Sequence, residues 1–231
     1  MTQHVIDQAQ SCVAMFNEIR ADMPKTDLWN RRSGPREEVE FDPNLYLDAL
    51  PHLQLMPGYT LDFYYNWCDM AGNPWVYARK IGDPPFSEDV METQLRKVKN
   101  YRDTYSPIRY LLPDGSPESW FELVVFERLA DQFYLFWHSN YNDFRFVTTQ
   151  EEINAIAEKI RLEPEMLARA RSMDHRIIVS VGESECKVEY CGFSEWKGFT
   201  RYETTIKREP PCVVMNTAPI ENIPYHCGIC F

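Results

Sequence analysis

The sequence lacks a long hydrophobic run. No stretch approaches the roughly 20 apolar residues a helix needs to cross a bilayer. The opening Met1-Thr2-Gln3-His4 has neither the basic start nor the apolar core of a secretion signal, so a cytoplasmic location is expected. Positive charge is also scarce: 24 Lys and Arg stand against 35 Asp and Glu, a formal net charge of -11. Such a balance repels phosphate backbones and anionic membranes, which turns expectation away from nucleic-acid and membrane partners. Internal repeats are missing, as are a Walker loop, a paired-glycine dinucleotide fingerprint, a His-Glu-x-x-His pair and a kinase signature. The Gly-x-Ser-x-Gly elbow of serine hydrolases is half-present, at Gly192-Phe193-Ser194 and at Gly182-Glu183-Ser184, and both segments read as hairpin turns.

What is present suits a folded core. The 231 residues are 44% hydrophobic, 14% aromatic and 26% charged, which excludes a disordered or fibrous chain. Val5, Ala9, Cys12, Val13, Phe16, Ile19 and Met23 recur at helical spacing until Pro24 stops them, giving an N-terminal amphipathic helix. Residues 25–40 lose apolar periodicity and read as a surface connection. Asp42-Pro43 is a cap followed by proline at the first helical position, opening a short helix before Pro51. Residues 59–67 alternate with the period of a half-buried strand, and Gly72-Asn73-Pro74 reads as the turn of a hairpin continued by 75–81. Val90, Leu95, Val98 and Tyr101 suggest a middle helix. Residues 120–128, 133–138 and 144–148 read as a three-strand meander whose first two strands are apolar at nearly every position.

Thr149 and Glu152 form a capping-box pattern before a helical pair that runs to Met173. Three strands follow at 177–181, 186–190 and 199–207. The class expected is therefore α+β: about seven or eight mainly antiparallel strands packed with an N-terminal helix, a middle helix and a helical pair. Residues 1–231 are expected to form a single domain with a poorly ordered tail over 209–231. The alternative is a division into 1–112 and 113–231.

The helical pair resembles a helix-turn-helix in spacing, yet Arg161 occupies the turn where glycine is usual. Five basic against six acidic residues between Thr149 and Arg176 leave no electrostatic footprint for DNA.

Three constellations carry candidate chemistry. Cys227-Gly228-Ile229-Cys230 has the spacing of a metal-binding or redox pair, with Cys212 the most plausible third ligand of a zinc ion. His226 adjoins Cys227 too closely for easy ligation by both. Cys186 and Cys191, five apart on one strand, point to opposite faces. Seven cysteines, an odd number, fit reduced thiols better than a disulfide framework.

The second constellation is the polar loop after the meander's middle strand, where His138, Asn140, Tyr141 and Asp143 are candidate binding residues. His138 could serve as a base oriented by Asp143, although Asn and Asp at a strand end are commonly turn formers. The third is the set of aromatics on the expected strands, from Tyr64 and Trp67 to Phe136 and Trp137, which either fill a core or face a partner.

The leading expectation is a non-catalytic binding protein of regulatory or immunity-like type. It would hold a protein partner, or a second copy of itself, on an aromatic sheet surface with acidic surroundings and no cofactor. One alternative is a zinc or thiol-redox protein acting through Cys227 and Cys230. Another is a small-molecule enzyme with its pocket at 137–143.

Overall fold

Residues 120–128, which read as the first strand of a meander, instead lie in a helix at the middle of the molecule. In this computed structural model, which describes residues 1–6, 9–68, 71–88 and 106–225, Pro117–Leu129 is α-helical. Ser116 caps it by accepting a hydrogen bond from the Ser119 N–H at 3.2 Å, and Pro117 takes the first helical position. The segment from Ser119 to Phe126 is buried without a break. A helix enclosed on all sides has no polar stripe, so its sequence shows no 3.6-residue period and mimics a doubly covered strand.

The other elements, in chain order, are β1 (Thr2–Val5), α1 (Ala9–Ala21), β2 (Gly34–Pro35), β3 (Leu53–Leu55), β4 (Tyr59–Cys68), β5 (Ala71–Lys80) and β6 (Leu111–Pro113). The central helix, Pro117–Leu129, is α2. After it come β7 (Phe136–Trp137), β8 (Arg145–Val147), α3 (Gln150–Ile160), α4 (Pro164–Ser172), β9 (Ile178–Val181), β10 (Glu185–Ser194), β11 (Gly198–Lys207) and β12 (Val213–Ile223). All strand pairing is antiparallel, and the fold is α+β. A six-stranded sheet runs β1-β9-β10-β11-β12, with β8 sharing the β10 edge beside β9. A four-stranded sheet runs β2-β4-β5-β7, and β3 pairs with β6. No helix among the described residues is long and apolar enough to cross a membrane.

Strand period two divides the six-stranded sheet cleanly. Cys186, Val188 and Tyr190 of β10 join the core around α2, together with Phe16 of α1, Tyr46, and Phe63 and Tyr65 of β4. Cys191 and Phe193 face the opposite side and pack under α3 and α4 with Ile153, Ala170 and Phe199. Cys186 and Cys191 thus lie on opposite faces, as their spacing requires. The helical pair forms as its capping box dictates: Thr149 Oγ1 accepts from Glu152 N at 3.2 Å, and Glu152 Oε2 accepts from Thr149 N at 3.0 Å. Arg161 closes α3 in the left-handed region at φ 55°, taking the place glycine usually fills. The expected short helix after Asp42 is a 3₁₀ segment, Pro43–Ala49, capped by the Asp42 side chain.

Four further expectations are corrected. The 133–138 and 144–148 strands of the meander shrink to the short β7 and β8, on different sheets. Gly72-Asn73-Pro74 lies inside β5, which pairs with β4 down to Cys68 opposite Ala71. Pro74 fits there because the N–H of Val76, two residues on and so directed to the same side, leaves the ladder and donates to Asp131 Oδ1 at 2.7 Å. That edge of β5 has no strand partner beyond Gly72, and proline sacrifices no ladder bond. The tail expected to be poorly ordered over 209–231 holds a full strand, β12, bonded along β11 with two register shifts. Its outer residues are exposed whether polar or apolar, which hides it from any apolar period. The 25–40 connection is more than surface, since Arg31 and Glu40 are both buried. The helix expected around Val90–Tyr101 lies outside the described residues, as do Cys227 and Cys230.

Candidate functional site: a cavity between the two sheets

The unpaired edge of β5 and the β11–β12 side of the larger sheet do not meet, and a cavity of about 700 Å³ remains between them. Its walls come from segments distant in sequence. Asn73, Trp75 and Val76 supply the β5 wall, Phe126 to Arg128 and Ala130 to Gln132 the floor at the end of α2, and Cys212 with Val213 to Thr217 of β12 the opposite wall. Ser139 and Asn142 close one end, and the exposed Asn142, Lys197 and Asn216 place its mouth at the surface. The size is that of sites that enclose small ligands.

Arg128 is the central feature of the floor. Its guanidinium carbon lies 4.7 Å from the Tyr202 ring centre, 5.1 Å from that of Phe144 and 5.6 Å from that of Tyr190. The Nε–H donates to Tyr190 Oη at 2.7 Å, and Tyr190 Oη, Thr204 Oγ1 and Thr217 Oγ1 are linked in series at 3.0 Å each. Burial pushes the Tyr190 phenol up to about 12, so it stays a neutral donor and acceptor at ordinary pH. Arg128 Nη2 is buried without an acceptor, and the nearest carboxylate oxygen, Glu127 Oε2, is 3.5 Å from Nε. An arginine cannot shed its charge. The site therefore holds a fixed cation in an aromatic surround, tied through hydroxyls to the β12 wall. The ring of Phe144 lies against Gly192, where any Cβ would overlap it.

The loop residues that sequence reasoning selected are divided by the fold. Asn140 and Asp143 border a smaller cavity of about 150 Å³ with Ile156, Ile160 and Phe193, while their neighbours Ser139 and Asn142 reach the large one. The Asp143 carboxylate is held by Arg20 at 2.9 Å and by Arg145 at 3.6 Å. His138 stacks loosely between Trp137 and Tyr141, with ring centres 5.8 and 6.0 Å away, and neither His138 nor Tyr141 lines either cavity. Cys212 is buried beside the large cavity with its thiol directed to Arg208 O at 3.8 Å, and burial raises its pKa. Among the described residues no three His, Cys, Asp or Glu side chains are grouped to hold a metal.

Most of the strand aromatics fill the interior: Tyr64, Tyr65, Tyr77, Trp120, Phe133 and Phe136 are buried. Trp137, 47% exposed and held at φ 50°, meets the 69%-exposed Trp29 at 6.3 Å. Arg128 and the β12 wall were missed by sequence reasoning, while Trp75 was grouped only with the strand aromatics. The lone signal was an arginine at the end of an otherwise apolar run.

A second titrating cluster sits at the other end of α2. His52 N donates to buried Glu122 Oε2 at 2.9 Å, and the His52 ring meets Asp114 Oδ2 at 2.9 Å. Burial pushes the Glu122 carboxyl up to about 7. The Asp114 hydrogen bond raises His52. Asp114 itself, against the opposing effect of its partial burial, is held down at about 2 by hydrogen bonds from Ser116 and His52.

A carboxyl with a raised pKa favours the folded state while protonated. Stability should therefore fall as pH climbs from Glu122's ordinary 4.5 to about 7, and the His52 contribution fades in the same direction as pH passes its raised pKa. Glu122→Gln keeps an acceptor for the His52 N–H and removes the charge. Its melting temperature should exceed the wild type's at pH 8, with the gap closing by pH 5, and a variant less stable at pH 8 would contradict the burial argument. Comparison of the chain with protein-family models, with curated proteins and with solved structures gives no match, and the functional reading rests on the chemistry of the site.

Proposed function

We propose that this chain is a non-catalytic binding protein whose ligand is a small molecule held in the cavity between the two sheets. The observation that carries this reading is the cavity itself: about 700 Å³, walled by three separate elements and floored by the half-buried Arg128, whose Nη2 has no acceptor. Buried polar groups are ordinarily satisfied, and an unmet donor at the floor of a space of ligand size supports a ligand that completes it once the side chain turns toward the cavity. Reaction chemistry finds less support, since the floor offers a cation and neutral hydroxyls without an activated nucleophile. The thiols of Cys186 and Cys191 are pushed up by burial to about 12 and about 11, and that of Cys212 is raised too, so all three are inert at neutral pH.

A second reading keeps a protein partner, or self-association, at the surface cluster of Trp29 and Trp137. The observation in its favour is the strained backbone that holds Trp137 outward, since such strain gathers where a side chain is needed in one place.

The cavity reading is tested with the neutral fluorophore N-phenyl-1-naphthylamine and the variant Asn216→Trp. This variant builds an indole into the mouth from exposed β12 and tolerates a strand backbone. One-to-one, saturable binding is expected in the wild type and should weaken at least tenfold in Asn216→Trp, with unchanged near-ultraviolet dichroism. Equal binding by both proteins would place the fluorophore elsewhere and overturn the reading.

A further inference from the structure

The charge of the cavity opposes the charge of the chain. Among the described residues its lining carries three cations, Arg109, Arg128 and Lys197, against two carboxylates, Glu127 and Asp131, in a protein whose formal net charge is -11. Both carboxylates are already engaged: Asp131 Oδ1 accepts the Val76 N–H at 2.7 Å, and Glu127 Oε2 lies 3.5 Å from Arg128 Nε. The three cations come from separate places, a 3₁₀ segment before β6, the end of α2, and the turn between β10 and β11. They converge only through the fold.

Around them stand planar groups, Phe126, Phe144, Trp75 and Tyr202, and neutral polar ones such as Asn73 and Thr217. A guanidinium recognises a planar oxyanion through paired N–H donors, and it does so most strongly where water is excluded. A single excess positive charge matches a monoanion better than the dianion that a phosphate monoester becomes near neutral pH.

Resting on the cavity reading above, we propose that the ligand is a small aromatic carboxylate. Its carboxylate would lie toward Arg128, with Arg109 and Lys197 at the rim drawing it in, and its ring among the aromatic walls. Because Arg128 Nη2 is enclosed in the structure, seating the carboxylate requires a side-chain adjustment that opens this donor to the cavity.

The test measures displacement of N-phenyl-1-naphthylamine, a neutral reporter, by benzoate, benzamide and phenyl phosphate at low salt. Benzoate and benzamide share size and shape and differ by one charge. Benzoate should displace the reporter at a concentration at least tenfold lower than benzamide, the order expected when a charge-assisted hydrogen bond replaces a neutral one. In Arg128→Met that preference should fall to threefold or less while the reporter still binds. If Arg128→Met loses its fold, the double variant Arg109→Gln/Lys197→Gln supplies the same readout, with the preference reduced and its salt dependence weakened.

Benzamide matching benzoate in the wild type would overturn the carboxylate proposal and leave the cavity reading standing. So would a preference unchanged in the folded charge variants. Phenyl phosphate binding tenfold tighter than benzoate would overturn the choice of a carboxylate in favour of a phosphate. Failure of the reporter to bind the wild type at all would remove the cavity reading and this proposal together.

Discussion

Glu40→Ala should lower the unfolding free energy by about 3–5 kcal/mol, the usual cost of stranding one partner of a buried ion pair. Arg31 Nε and Nη2 approach the two Glu40 oxygens at 2.8 and 3.1 Å, and the side chains are 8% and 1% exposed. Two of the three remaining guanidinium donors are occupied by Arg32 O at 2.8 Å and Pro35 O at 2.7 Å, while Glu40 also accepts from Glu37 N at 2.8 Å. This knot turns an otherwise irregular connection into a fixed loop and seats the guanidinium 5.3 Å from the centre of the Tyr65 ring at the edge of the core. Truncating Glu40 leaves a charge that arginine cannot neutralise. Glu37, at 3.7 Å and mostly exposed, is too poorly placed to replace the lost carboxylate.

The pair as a whole need not add stability, because both ions pay for desolvation. Arg31→Met/Glu40→Leu should accordingly lose less than Glu40→Ala alone. Urea denaturation of the single and double variants measures the difference, and a loss under about 1 kcal/mol in Glu40→Ala would show that the pair is solvated in solution.

Gly192→Ala is expected to cost about 1–3 kcal/mol, the range for overfilling a packed core, and to weaken ligand binding as well. The added methyl would overlap the Phe144 ring. That ring faces Arg128 and packs 6.0 Å from Tyr202 and 6.3 Å from Tyr190, so moving it opens one wall of the guanidinium's surround. Both losses should share this cause. Gly192→Ala/Phe144→Leu, which vacates space for the methyl, should recover stability relative to the sum of the two single variants. Additive losses would mean that the glycine serves the backbone of β10 instead of its neighbour.

The sequence was most legible where local chemistry decides structure. The alternation in β4 and the Asp42 and Thr149 caps involve residues within a few positions of one another. The hairpin turn read at Gly192-Phe193-Ser194 falls instead inside β10, and the chain turns only after Ser194. Legibility failed where tertiary surroundings override the pattern. α2 looked like a strand because it is covered on every side, although Ser116-Pro117 at its start, Arg128 in its last turn and its thirteen-residue length all mark a helix. β12 was hidden for the opposite reason, as an outer strand with exposed Met215, Asn216, Pro219 and Ile220.

The cavity was beyond reach altogether. Its walls at 73–76, 126–132 and 213–217 become neighbours only because α2 separates the sheets at one end, and no local spacing encodes that. Of the candidate loop, the selected Asn140 and Asp143 reach the smaller pocket, whereas the unselected Ser139 and Asn142 reach the larger.

The most direct test of the central claim is a two-dimensional ¹H–¹⁵N spectrum of the indole N–H groups during titration with benzoate. The six tryptophans report from different places: Trp75 lines the cavity, Trp120 is buried in α2, and Trp29 and Trp137 share the exposed cluster. A saturable shift of the Trp75 resonance, with Trp29 and Trp137 unmoved, is the predicted result. Shifts confined to Trp29 and Trp137 would put the ligand on the surface and contradict the account.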